Sequence, residues 1–490
     1  MGLTSLDTLP PELYSDIVYQ IAEDDMQHSI LALSRACPYS PIPTQRLFEH
    51  ITLTQPRQII ALNRRILLEA QPCAQYIKSI KMHCWDADAE VFLNTLKLVP
   101  EVQRLDIWVG PASFLPEHLK DMLRSPIVGL RDFTLRFRPY VQRATYLQFL
   151  KGSYFDSTLD CIASWPPKSL DNLSISQDPL KPEMVPGPSF AQPIVFFQLQ
   201  SLIPLSMDAP PHFRLSLPNR PVAPHLCARS NKSTIILDLS HCKITRPDVS
   251  SLLAHFISLE HLILDDCSVL PQDASPEDWS AFGKQCALAG SQRAREREKK
   301  VKAWLDTVRA QEAATGMGRG APTQRGKKGR KGLSTATISL RHIPIEGHAT
   351  STQFASTSFP APPLHVQTIR ILPILPTISS ICLKSPRQST AVAREEFAAG
   401  WKEGIAQVSA LRQRLWLANL RHGIWVMTYE HNQEKEQALV GLVRVQEQED
   451  FRSPVDCPPP LLCFMEEETH VGCGHAAAAR SRPSGLLRTT

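Results

Sequence analysis

Two spacings of apolar residues alternate along this chain, and the clearest passage is TIILDLSHCKITRPDVSSLLAHFISLEHLILDDCSVL. Leu237 and Leu239, then Leu262 and Leu264, stand two apart, as on a strand with one buried face. Between them PDVSSLLAHFIS opens on a proline and continues with an apolar face, which predicts a helix. Leu239 and Leu264 are 25 residues apart, and so are Cys242 and Cys267. Weaker strand halves occur upstream at Ile77-x-x-Ile80-x-Met82, Val102-x-x-Leu105-x-Ile107, Leu130-x-x-Phe133-x-Leu135 and Leu170-x-x-Leu173-x-Ile175. The helical stretches DAEVFLNTLKLVP and PEHLKDMLRSP fill the first two gaps, and the long step from Leu135 to Ile175 implies an insertion.

The spacing L-x-x-L-x-L-x-x-C-x-L is the leucine-rich-repeat template, in which strand leucines point inward and the cysteine bonds exposed backbone at the turn. It predicts repeat-like strands and helices over residues 60–270, with further repeat-like strands over 335–385, among them TATISLRHI and Val366-x-x-Ile369-x-Ile371. The N-terminal segment, 5–53, reads differently. Pro10, Pro11 and Glu12 suit a helix start, Leu13, Ile17 and Ile21 make one apolar stripe, and two further short helices follow near Ile30–Arg35 and TQRLFEHITL. Residues 392–430, with three Trp, predict a C-terminal helical cap. The expected fold class is therefore α/β: a small N-terminal three-helix unit followed by an irregular leucine-rich-repeat solenoid with disordered insertions.

Charge changes this picture in one place. The chain has 490 residues and a net charge of +5. Between Arg293 and Lys331 there are 13 Lys and Arg against 4 Asp and Glu, so the rest of the chain is slightly acidic. Residues 271–334 are read as a basic, largely disordered insertion that begins as a charged helix, and 451–490 as a disordered tail. Lys299, Lys300, Lys327, Lys328, Arg330 and Lys331 form the basic tract, suited to a nuclear-import signal or nonspecific phosphate contact. No aromatic residue interleaves with its 316–333 part, so a nucleic-acid partner is not expected. The tract is not a phosphate-binding loop either, because five residues separate Gly320 from Gly326 and Lys328 stands where a hydroxyl is required.

The 12 cysteines form no CxxC pair, which suits free thiols in the cytoplasm or nucleus. No signal peptide or apolar run of spanning length is present, so no membrane association is expected. Cys457, Cys463, His470, Cys473 and His475 have spacings that fit no compact tetrahedral metal site. No nucleophile–base or paired-carboxylate motif occurs, and the chain is expected to be neither an enzyme nor a binder of metal or cofactor.

The N-terminal stretch, LPPELYSDIVYQI followed by ILALSRACPYSPIPTQRLFEHITL, resembles an F-box of the fungal, basidiomycete type. The passages LDIWVGP, LRFRPYVQRATYLQFLKGSYFDS and LSISQDP resemble the leucine-rich body of such proteins. The resemblance implies docking to a Skp-type adaptor of a cullin ligase core, forming a Skp–cullin–F-box (SCF) ubiquitin ligase for ubiquitin-dependent protein degradation. The matching adaptor-binding positions are Leu9, Pro10, Glu12, Leu13, Ile17, Leu31, Leu33, Leu47 and Phe48, with Phe48 near where many F-boxes carry Trp. It also implies that an unknown protein substrate is held by strand positions between the inward leucines. The candidates are Arg104, Asp106, Trp108, Arg136 and His261, with Trp108 and Arg136 as anchors. The alternatives are a repeat scaffold without ligase association, or a nuclear nucleic-acid-associated protein acting through the basic insertion.

Overall fold

The computed structural model describes residues 9–21, 23–40, 42–68, 73–110, 113–138, 154–166, 169–179, 199, 202, 209–228, 233–316, 369–387, 389–422, 424–429, 442–445, 451, 457–465 and 473–481. These residues fall into two units. The first comprises 1–292, 374–409 and 454–490, and the second 293–373 and 410–453.

The strands are β1 (His50–Leu53), β2 (Ser79–Met82), β3 (Arg104–Val109), β4 (Asp132–Phe137), β5 (Asn172–Gln177), β6 (His212–Ser216), β7 (Ile236–Asp238) and β8 (His261–Leu264), followed by β9 (Ile369–Ile371), β10 (Ser380–Leu383), β11 (Trp425–Tyr429), β12 (Leu442–Arg444) and β13 (Leu461–Phe464). Ten of them make one sheet in the order β1-β2-β3-β4-β5-β6-β7-β8-β10-β13. Every pairing in it is parallel, so each strand returns to the same end of the sheet through a connecting segment. Alternate residues face opposite sides. Ile80, Met82, Leu105, Ile107, Phe133, Leu135, Leu173, Ile175, Phe213 and Leu215 are all buried in one continuous core. The residues between them make the other face.

The helices are α1 (Pro11–Gln20), α2 (Glu23–Ala36), α3 (Pro56–Leu68), α4 (Ala89–Lys97), α5 (Pro116–Leu123), α6 (Tyr154–Ala163), α7 (Ala223–Leu226), α8 (Arg246–His255), α9 (Pro276–Ala287), α10 (Ala289–Gly316), α11 (Thr390–His422) and α12 (Gly474–Ser481). Their starts are written locally. Asp88 caps α4 by accepting from the Val91 N–H at 3.1 Å. The Thr245 N–H donates to Asp248 at 2.9 Å before α8, and the Ser275 N–H to Asp278 at 3.0 Å before α9. The inner faces of these helices bring Phe92, Leu119, Leu159, Leu252 and Phe282 onto the strand leucines. Each such side chain contributes about 1.5–3 kcal/mol when fully buried.

The two cysteines of the 25-residue spacing sit at equivalent turns. The Cys242 thiol donates to the Leu215 carbonyl at 3.2 Å and accepts from the Leu217 N–H at 3.3 Å. Cys267 donates to the Leu239 carbonyl at 3.2 Å. His241 and Asp266 precede them with φ of 67° and 56°, a left-handed turn that His and Asp tolerate better than branched residues.

These observations keep the α/β class and correct the finer architecture. In place of a three-helix F-box and a repeat solenoid, the structure has a ten-stranded all-parallel sheet alternating with helices. Among the described residues of the N-terminal segment, α1 and α2 are the α-helices; Thr44–Phe48 is a short 3-10 turn, and His50–Leu53 is already the first strand of the sheet. The physical reason is that inward leucines at a regular step specify strand–helix alternation. They do not specify where one unit ends and the next begins.

Three further expectations change. In the supposed insertion, α9 places Trp279, Phe282 and Cys286 in the sheet core. The following helix α10 buries Arg293 and Arg297. In the supposed tail, β13 pairs with β10 and α12 follows it. Residues 335–343 lie outside the described residues. Ile369–Ile371 does form a strand, but it joins β11 and β12 in a separate three-stranded sheet of the second unit. That unit has its own apolar clusters, one around Val301, Ile371, Met427 and Leu442 and one around Leu372, Val426, Val445 and Phe451. The buried Arg412 guanidinium donates to the Pro373 carbonyl at 2.7 Å there.

Candidate functional site

The N-terminal helices contain two kinds of apolar residue. Tyr14, Val18, Met26, Ile30, Cys37 and Ile42 form a small core, with Leu9, Ile21, Leu33 and Leu47 half-buried against it. The Tyr14 hydroxyl donates to Ser40 Oγ at 2.8 Å and ties α1 to the chain after α2. Leu13, Ile17 and Leu31 stand outside that core, 45%, 42% and 45% exposed. The stripe expected from Leu13, Ile17 and Ile21 is thus not the buried one. Tyr14 and Val18 are buried, one position further round each turn. Pro10 and Glu12 are exposed, and Phe48 packs against the sheet core with the Arg65 guanidinium 4.7 Å above its ring. The positions that match the adaptor-docking motif therefore divide into structural ones (Leu9, Leu33, Leu47, Phe48) and exposed ones (Pro10, Glu12, Leu13, Ile17, Leu31).

The second candidate surface is the face of β2–β5 opposite the core. Parallel register sets Trp108 beside Arg136 and Arg104 beside Asp132. The Arg136 guanidinium lies 4.7 Å from the Trp108 ring centre and 5.9 Å from that of Trp85. The two indoles are 4.8 Å apart, and His83 stacks on Trp108 at the same distance. Arg138 stands 5.8 Å over Trp85. Arg136 Nε donates to Asp178 Oδ1 at 2.6 Å, and His83 Nε2 pairs with Asp106 Oδ2 at 2.9 Å. The result is a half-exposed ladder of rings and guanidinium planes, each held by a carboxylate or a neighbouring ring. Such planar groups lose little freedom on contact and bury large area, which is why Trp and Arg dominate protein-binding hot spots.

Trp108 and Arg136 are brought together as their strand positions require. Arg104 is turned to the His50 ring at 3.0 Å, at the start of the same face, and Asp106 is a buried support for His83. His83, Trp85, Arg138 and Asp178 join the group without any mark in the strand pattern. Three of these four lie just past their strands, where the two-residue alternation no longer marks a face. His261 does not belong to the group. It donates to or accepts from Ser380 Oγ at 2.9 Å, several strands away on β8, and burial lowers its pKa.

The far end of this face is covered. The outward positions of β7, β8, β10 and β13 are Ile236, Ile263, Cys382 and Cys463, and α12 packs its alanines on them. The Gly474 N–H donates to Ser380 Oγ at 2.8 Å, and His475 Nε2 pairs with Asp265 Oδ2 at 2.8 Å. The hydrogen bond to Asp265 raises the His475 pKa against the opposing effect of burial. A raised folded-state value means that this pair's contribution is complete below the ordinary His value of ~6.5 and is lost as pH climbs through the folded one. The stability gap between the native chain and His475→Ala should accordingly close on raising pH from 6 towards 9, as followed by thermal unfolding.

Of the basic tract, Lys299 and Lys300 are exposed on α10; Lys327, Lys328, Arg330 and Lys331 lie outside the described residues. Among the described residues, no group of three His, Cys, Asp or Glu side chains is placed to hold a metal ion. Nor is any described helix long and apolar enough to cross a membrane. No protein-family model matches the chain, and no curated protein matches it in sequence.

Proposed function

We propose that this chain is the target-recognition subunit of a Skp–cullin–F-box type ubiquitin ligase. In this reading the N-terminal helices dock on the Skp-type adaptor, and the Trp108–Arg136 face of the sheet binds the protein to be ubiquitinated. The observation that carries it is the exposure of Leu13, Ile17 and Leu31 on helices whose own core closes without them. Apolar side chains left in water at the positions that match an adaptor-docking motif are better explained by a partner than by folding. The chain itself makes and breaks no bonds; it raises the effective concentration of a target beside the ubiquitin-charged enzyme. Such a complex works in the cytoplasm or the nucleus.

Mixing the purified chain with a purified Skp-type adaptor tests the docking half. Co-elution is expected, and separate elution at micromolar concentrations sinks the ligase reading in favour of a scaffold without ligase association. The target half predicts that Trp108→Ala and Arg136→Ala each weaken target binding by about thirtyfold, the effect of a ~2 kcal/mol hot spot, with adaptor binding unchanged. Proximity labelling in cells identifies the target, and titration of that purified target against each variant measures the loss.

A further inference from the structure

Three thiols meet where α12 joins the sheet. Cys382 on β10 and Cys463 on β13 are register partners with their side chains on the covered face. Cys473 stands immediately before α12 and accepts from the Ala476 N–H at 3.4 Å. Cys463 is buried together with Cys382 and Cys473 in one small cluster on this face, and Arg394 and His475 are the cations that bear on it. Arg394 is anchored by donating to the Leu462 carbonyl at 2.9 Å, next to Cys463 in the chain. Neither adaptor docking nor target binding as proposed above makes use of this cluster.

We propose that Cys463 is a peroxide-reactive modification site and that Cys473 is its resolving thiol, the resulting disulfide fastening α12 to the sheet.

The surroundings distinguish Cys463 from the other buried cysteines. The hydrogen bond from Cys382 lowers its pKa to about 7 against the effect of burial, with Cys473, His475 and Arg394 acting in the same direction. Cys382 is driven the other way by that same hydrogen bond and by burial, so it stays a donor. Burial holds Cys242 up at about 12 and also raises Cys267 and Cys286. Only a thiolate attacks peroxide readily. Asp238 at the end of β7 and Asp265 just past β8 face the cluster, and His475 answers Asp265 directly.

The chemistry balances in two steps. The Cys463 thiolate attacks hydrogen peroxide, breaking its O–O bond to leave a sulfenic acid and hydroxide. The Cys473 thiol then attacks the sulfenic sulfur, forming the S–S bond and releasing water. Two thiols are oxidised and one peroxide is reduced to two waters. Cys382 is the poorer resolving partner. It sits in the ladder directly beside Cys463, and its thiol is driven away from the thiolate form that attacks a sulfenic sulfur. Cys473 lies outside the strands and closes without breaking the ladder. Cys463 is 3% exposed, so the reagent enters when α12 opens, as an eight-residue helix does far more often than the sheet beneath it.

Peptide mapping of the full chain after hydrogen peroxide treatment, denaturation and alkylation reads the outcome directly. A Cys463–Cys473 cross-linked peptide is expected, while Cys242 and Cys267 remain fully alkylated. In Cys473→Ser, Cys463 should stop at the sulfenic acid and be trapped by dimedone, and in Cys382→Ser its reaction should slow. Equal alkylation of Cys463, Cys473 and Cys242 after peroxide overturns the proposal. So does a bridge from Cys463 to Cys382 or to a second molecule. The native chain alone yields the decisive peptide map, so a folding defect in either variant does not obscure the result.

Discussion

Leu13→Asp combined with Ile17→Asp is expected to abolish capture of a purified Skp-type adaptor while moving thermal unfolding of the chain by about 2 °C or less. The two effects separate because of where these side chains lie. Both are more than two-fifths exposed and lie outside the small core, one position round α1 from Tyr14 and Val18, so aspartate there enters water and leaves the core side chains in place. In a docked complex the same positions lose two apolar contacts worth about 1.5–3 kcal/mol each, and they place charge in a desolvated interface. A fall in affinity of at least about a hundredfold follows. The contrasting variant is Tyr14→Ala. It removes a fully buried ring and the hydrogen bond to Ser40, which costs about 3–5 kcal/mol and should melt the N-terminal helices outright. If Leu13→Asp with Ile17→Asp binds the adaptor as well as the native chain, the docking surface lies elsewhere and the assignment of Leu13 and Ile17 to it fails, whereas a native chain that does not bind the adaptor sinks the ligase reading.

The second large effect concerns stability. Gly400→Ala should destabilise the first unit by about 1–3 kcal/mol or more, as in overpacked cores. An added Cβ at Gly400 would stand 1.8 Å from the Ser280 carbonyl oxygen, and one at Gly283 would stand 2.1 Å from that of Phe397. The two glycines lie on α11 and α9, so the helices touch backbone to backbone around Phe282, Phe397 and Trp401. A backbone carbonyl cannot swing aside as a side chain does. Helix propensity alone has the opposite sign, since Ala in place of Gly within a helix gains about 1 kcal/mol. Denaturant unfolding of Gly400→Ala therefore decides between local propensity and tertiary packing by the sign of the change.

The alternation of strand and helix was legible because its cause is local. Leu105 and Ile107, Phe133 and Leu135, and Leu262 and Leu264 must share one face whatever they pack against. Asp88, Thr245 and Ser275 mark helix starts by bonds made within three residues. Trp108 and Arg136, marked by the sequence only as separate anchors, become neighbours because they hold equal positions on successive parallel strands.

What escaped the sequence depends on partners far along the chain. Trp279 and Phe282 read as part of a charged insertion until α11 supplies the surface that buries them. Leu461–Phe464 looks like a loose tail because it becomes a strand only by pairing with Ser380–Leu383. His261 has the right place in its strand to be a target-binding residue, yet α12, more than 200 residues further on, closes over that end of the sheet. Tyr14 rather than Leu13 faces the core because the chain after α2 brings Ser40 to the Tyr14 hydroxyl. By itself, then, the sequence determined which residues alternate along the strands and where the helices with local caps begin. Tertiary structure alone decided which apolar residues stay in water, which thiols meet and which part of the sheet remains open, because burial and proximity are properties of contacts between distant segments.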